Sequence, residues 1–221
     1  MSSWFEHVER SVDAVEGFVP HYVFVGDPRT DPGTFAEIDR LCLLYGRDRD
    51  VVEIEEEFRP YKRIWNTPRL RHMAHIRNVL LGHVRKLEPD VFWSLDSDIL
   101  VAPGVFDSAS AMLGEYDAVG TKCYMSSNRA APSFAMLPSP ARGLLRPDSE
   151  GQLKVDVIMA SKLMSPAAYE IDYVVHPQGE DVGWSILARR SGLELGWDGT
   201  VCSKHVMEQR NLDTIDPRCG Y

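Results

Sequence analysis

At 221 residues and 25.0 kDa the chain is longer than one minimal fold needs and shorter than two ordinary domains, so a single domain spanning 1–221 is expected. With 44% apolar and 26% charged residues it can bury a core, which excludes a disordered or fibrous chain, and no apolar run nears the roughly 20 residues of a membrane helix. A net charge of −9 excludes general attraction to nucleic acid or anionic lipid; within it, Arg59 to Lys86 carries eight basic residues, three histidines and no acid, which suits either an anionic ligand or a solvated helix face.

Trp4, Phe5, Val8, Val12, Val15 and Phe18 recur at helical steps until Gly17 and Pro20 stop them. His21 to Val25 reads as a buried strand running into a polar turn, Gly26-Asp27-Pro28-Arg29-Thr30-Asp31. Thr34 is placed to cap a helix over 35–45, and Val51 to Ile54 reads as a second strand. Thr67-Pro68 opens a long helix with an apolar face through Met73, Ile76, Leu80, Val84 and Leu87, closed by Pro89. Val91 to Leu95 reads as a central strand ending at Asp96-Ser97-Asp98, and Ile99 to Val101 resumes it. Residues 126–151, with four prolines, read as a long loop that is either a lid or a plain excursion. After it come a strand over 155–164, a helix over 182–191 and a strand over 193–201, an alternation that predicts an α/β fold.

Cys42, Cys123, Cys202 and Cys219 form no CxxC pair, and the start lacks the regions of a signal peptide, so a reducing, cytoplasmic setting is expected. Asp96 and Asp98, two carboxylates at i and i+2 beyond a buried strand, suit a shared hard divalent cation, which can in turn hold a diphosphate. Glu180 and Asp181 stand at a helix entrance, where a carboxylate serves as a dipole partner or as a general base. His205, after the last predicted strand, is a candidate third metal ligand.

In their order along the chain, these motifs resemble nucleotide-sugar-dependent glycosyltransferases of the GT-A fold, family 2 type. The matching segments are the turn at 25–31, the Arg77-Asn78 pair, Asp96-Ser97-Asp98, Gly179-Glu180-Asp181 and His205, and the likeness begins at the helix after that family's first β-strand. The resemblance implies an α/β three-layer sandwich with a mostly parallel central sheet. It also implies a nucleoside-diphosphate-sugar donor, a bound Mn²⁺ or Mg²⁺, and transfer of a single sugar, since the Gln-x-x-Arg-Trp motif of processive synthases is absent. Asp27 would contact the nucleobase, Arg77 the diphosphate side, and Asp96 the ribose or metal. Asp98 and His205 would hold the metal, Asp181 would be the catalytic base, and Trp184 and Trp197 would stack on sugar or fill the core. The acceptor is open among small molecules, glycans, proteins and modified nucleic acid. Inversion is expected, with retention as the rival stereochemistry. A catalytically silent nucleotide-sugar-binding or scaffold protein on the same fold is the rival from another class, whereas a nucleotidyltransferase would need a glycine-rich phosphate loop that the start does not carry.

Overall fold

The computed structural model describes residues 2–13, 15–29, 31–54, 66–125, 132–133, 135–136 and 151–206. Arg59, Lys62, Arg63, Cys219 and most of the predicted 126–151 loop therefore lie outside the described residues.

The chain opens on α1 (Ser2–Val12), whose Trp4, Phe5, Val8 and Val12 are buried. Glu9, also buried, ties this helix to two later segments of the chain: it accepts a hydrogen bond from Tyr22 Oη and two from Arg47, at 2.9 and 2.7 Å. Burial, with the Glu9 contact second, pushes the Tyr22 phenol far above its ordinary pKa. Strand β1 (His21–Gly26) leads through α2 (Pro32–Tyr45) to β2 (Asp48–Glu53), which pairs with β1 in parallel, His21 beside Asp48 and Gly26 beside Glu53. The N-cap of α2 is Asp31, which accepts from the Thr34 amide, so the helix begins three residues before the expected position. Gly46 closes it in the left-handed conformation, φ 63°, that glycine adopts without a side-chain clash.

Helix α3 (Thr67–Leu87) starts one residue after its true cap, Asn66, whose side chain accepts from the Arg69 amide. Its buried stripe is Leu70, Ala74, Arg77, Leu81 and Val84, rotated from the expected apolar face, and Leu87 is exposed. The all-apolar face fails as a guide because the true stripe contains an arginine.

Thereafter come β3 (Phe92–Ser94), β4 (Ile99–Leu100), α4 (Val105–Ser110) and β5 (Ala118–Met125). The short strands β6 (Pro132–Ser133), β7 (Ala135–Met136), β8 (Gln152–Lys154), β9 (Val157–Ile158) and β10 (Lys162–Met164) follow, then α5 (Pro166–Tyr169), α6 (Glu180–Arg190) and β11 (Leu195–His205). The central sheet runs β3-β10-β5-β11-β4. Strand β10 is antiparallel to both β3 and β5, β11 is parallel to β5, and β4 and β8 are antiparallel to β11. The protein is thus α/β with a mixed central sheet, which corrects the expectation of a mostly parallel one. The single strand expected over 155–164 is broken at Ala160, which sits at φ 49° and turns the chain between β9 and β10; this break admits the antiparallel strand.

One apolar core gathers α1, α2, β4, α4 and β5, and a second gathers α3, α5, α6 and the start of β11. Trp184 and Trp197 are fully buried in the second core, so neither offers a face to a sugar. Cys42, Cys123 and Cys202 are buried. Among the described residues no helix is long and apolar enough to cross a membrane.

Candidate active site

Arg77 is the hub of a buried charge cluster. Helix α3 carries its guanidinium beneath the end of β3, where Nη2 donates to Asp96 Oδ1 at 2.8 Å, Nε to Glu180 Oε1 at 3.3 Å and Nη1 to Ser94 Oγ at 3.4 Å. Asp181 Oδ1 lies 3.9 Å from Nε. Burial by itself would lower the Arg77 pKa, but the charges of Asp96, Asp181 and Glu180 hold it well above the ordinary value. A buried guanidinium persists only with such partners.

The two acids that open α6 have different surroundings. Asp181 Oδ1 accepts from Lys162 Nζ at 2.5 Å, and Oδ2 accepts from the Ala160 amide at 3.3 Å, the backbone donor that the left-handed turn supplies. Lys162 itself is fully buried, 5.0 Å from the Tyr173 ring centre and 4.9 Å from that of Trp184. Burial would raise the Asp181 pKa, but the charges of Lys162 and Arg77 and these hydrogen bonds bring it below the usual value. Glu180 has the longer Arg77 contact and a hydrogen bond from its own backbone amide; burial first, then the neighbouring Asp181 charge, nonetheless raises it above the usual glutamate value. Ser185, one turn on, fixes this end of α6 to β9 through Ile158 N and O.

Asp98 and His205 meet across the β4–β11 pair, with His205 Nε2 3.0 Å from Asp98 Oδ2 and the Val206 amide on Asp98 O at 2.7 Å. His205 is the last residue of β11 and does not follow the strand as expected. That separation is the length of a direct hydrogen-bonded pair, and it is also about the spacing of two ligands held at about 2.1 Å on adjacent positions of one ion. Asp96 is turned to Arg77, and among the described residues no group of three or more His, Cys, Asp or Glu could hold a metal ion by itself. The structure therefore brings together two of the three expected ligands.

Asp27, just beyond β1, is buried and grips Arg29, with Oδ1 accepting from the Arg29 amide and Nε and Oδ2 from Nη2, each at 2.9 Å. Its carboxylate thus faces a guanidinium where the resemblance implies a nucleobase.

Three further residues complete the cluster, and of these only Asn78, in the Arg77-Asn78 pair, belongs to a motif. Lys162 is the first. Asn78 is the second: its side-chain amide donates to Tyr173 O at 2.9 Å and accepts from Tyr173 N at 2.7 Å, clamping the segment before α6 onto α3. Tyr173 is the third, with Arg77 Cζ 5.5 Å from its ring centre. The only sequence signal for them was the Asn that follows Arg77. Compared with known protein families and with curated proteins, the chain matches none.

Proposed function

We propose that the protein is a metal-dependent glycosyltransferase with a GT-A type fold, moving one sugar from a nucleoside-diphosphate-sugar donor to an acceptor hydroxyl with inversion. The observation that carries this reading is the meeting of the Arg77–Asp96 pair with the Glu180–Asp181 entrance of α6 beside Ser94 at the end of β3, an edge at which open α/β sheets bind ligands, with Asp98, two residues beyond Asp96, paired to His205. Asp98 and His205 would hold Mn²⁺ or Mg²⁺, which when bound supplies charge to offset the departing diphosphate. Mg²⁺ and Mn²⁺ sites commonly combine few protein ligands with phosphate oxygens and water, so two protein ligands suffice. Arg77, paired with Asp96 at 2.8 Å, keeps that carboxylate in place on the side where the resemblance sets the diphosphate. A carboxylate at the start of α6 takes the proton of the attacking hydroxyl.

A thermal-shift screen of nucleoside-diphosphate sugars with Mn²⁺, followed by an assay for released nucleoside diphosphate, tests the reading. One donor class should raise the midpoint only with metal present, and Asp98→Ala should abolish both the shift and the release. Binding without release in the wild type would favour a silent nucleotide-sugar-binding module, and no shift with any donor would refute the proposal.

A further inference from the structure

We infer that Glu180 is the proton acceptor of this site, and that Asp181 is a fixed strut whose charge is committed to Lys162. The inference rests on the transferase reading above and deepens it, because the resemblance assigns the proton to Asp181 and gives Lys162 no role.

The geometry separates the two acids. Both oxygens of Asp181 accept hydrogen bonds from groups of another element, Lys162 Nζ at 2.5 Å and the Ala160 amide at 3.3 Å, and Lys162 has no exposure to solvent. A proton placed on Asp181 would strip the carboxylate from a cation that has only two aromatic rings beside it. That change costs far more than it returns, since a buried ammonium without a counter-ion is among the least stable arrangements in a protein. Glu180 accepts the 3.3 Å bond from Arg77 and one from its own backbone amide, and Arg77 keeps Asp96 at 2.8 Å whatever Glu180 does.

Charge counting gives the same answer. The cluster holds two cations, Arg77 and Lys162, and three carboxylates, Asp96, Glu180 and Asp181, for a net charge of minus one. A proton on Glu180 brings it to zero, whereas a proton on Asp181 reaches zero only by orphaning Lys162. The opposed directions in which the surroundings drive these neighbours, Glu180 up and Asp181 down, are the pattern by which paired carboxylates divide acid–base work.

In the step itself the acceptor oxygen forms a bond to the anomeric carbon while the bond from that carbon to the diphosphate oxygen breaks. The bonding pair leaves with the diphosphate, and the acceptor proton passes to Glu180 and then to water. Lys162 is a positioning residue in this scheme: it keeps Asp181 ionised, and the Asp181 charge keeps Glu180 basic enough to take the proton.

The test compares Glu180→Gln with the double variant Lys162→Met/Asp181→Asn. Nucleoside diphosphate release is followed with the donor that wild type turns over fastest under Mn²⁺. Glu180→Gln should lose at least about 100-fold in turnover with donor affinity retained. The double variant should stay within about tenfold of wild type, with the acid limb of its pH profile moved to lower pH because the charge that raised Glu180 is gone. A double variant as inactive as Glu180→Gln, or a Glu180→Gln enzyme within threefold of wild type, would overturn the inference. Carboxyl ¹³C NMR titration of the unliganded wild type covers a variant that fails to fold. Glu180 titrating above the ordinary glutamate value while Asp181 stays ionised supports the division, and the reverse order overturns it. If wild type releases no nucleoside diphosphate from any donor, the transferase reading falls and the proton-acceptor role with it; the titration still decides whether Asp181 is the strut.

Discussion

Lys162→Met isolates the charge of the buried ammonium from its bulk. The methionine stem retains the packing against Tyr173 and Trp184, so the main loss is the 2.5 Å contact to Asp181. Asp181 would then keep the Ala160 amide at 3.3 Å and Arg77 at 3.9 Å, the latter already paired with Asp96 and Glu180. Removing one partner of a buried pair costs about 3–5 kcal/mol. At about 2–4 °C per kcal/mol for a chain of this size, the melting midpoint should fall by about 6–20 °C at pH 7. Asp181 has a lowered pKa in the fold, so its stabilising contribution is present above its unfolded value and is lost as pH falls through its folded value. The deficit of Lys162→Met should therefore shrink as the pH is lowered, because protonation relieves the orphaned carboxylate. Calorimetry or circular dichroism at pH 7 and pH 4 reads both effects. The double variant Lys162→Met/Asp181→Asn, which removes both charges, should be less destabilised than Lys162→Met alone. A Lys162→Met midpoint within 2 °C of wild type, or a double variant whose cost is the sum of the two singles, would refute the buried pair as a coupled unit.

Glu180→Gln should raise the melting midpoint at pH 7, since a group whose folded pKa is raised gives stability that is complete below its unfolded value and is lost as pH rises through the folded one; the gain should vanish near pH 4. Asn78→Ala should cost about 1–3 kcal/mol and speed hydrogen exchange at the Tyr173 amide, since both polar atoms of that side chain bond the same residue's backbone. Gly183→Ala should cost about 1–3 kcal/mol in chemical denaturation, because an added Cβ would stand 2.3 Å from Val174 O, a backbone atom that moves only with its segment.

Locally written features were legible in the sequence. The β1–α2–β2 unit announced itself through a β-branched and aromatic strand, a turn rich in Asp and Pro, and a helical run to Tyr45, and the structure differs there in the cap, Asp31 for Thr34, and in the bounds of β2, Asp48–Glu53 for 51–54. The Asp96-Ser97-Asp98 turn, the α6 entrance and the place of His205 near Asp98 likewise followed from short runs read in order. The mixed sheet did not. Whether a strand such as Lys162–Met164 enters a sheet parallel or antiparallel is set by the path of the chain before it, and here that path turns on one alanine at positive φ, a conformation no local pattern at Ala160 foretells.

The charge cluster went unread for a different reason. A count of apolar residues on α3 selects the face through Met73, Ile76 and Leu80 and passes over the stripe through Leu70, Ala74, Arg77, Leu81 and Val84, because a charged residue counts against a buried face. Yet an arginine in the middle of a stripe with steps of 4, 3, 4 and 3 carries its own implication: a buried guanidinium demands carboxylates from elsewhere in the chain. Three arrive, the half-exposed Asp96 and the buried Glu180 and Asp181, and three acids around one cation leave a surplus of two negative charges that a largely buried site does not sustain. A second cation is then required by the same physics, and a strand residue that reads as a polar interruption of an apolar run is where it is found. Lys162 satisfies one of the surplus charges completely. The other, which no buried cation fully meets, falls on Glu180, and that residual imbalance leaves one carboxylate of the pair ready to bind a proton.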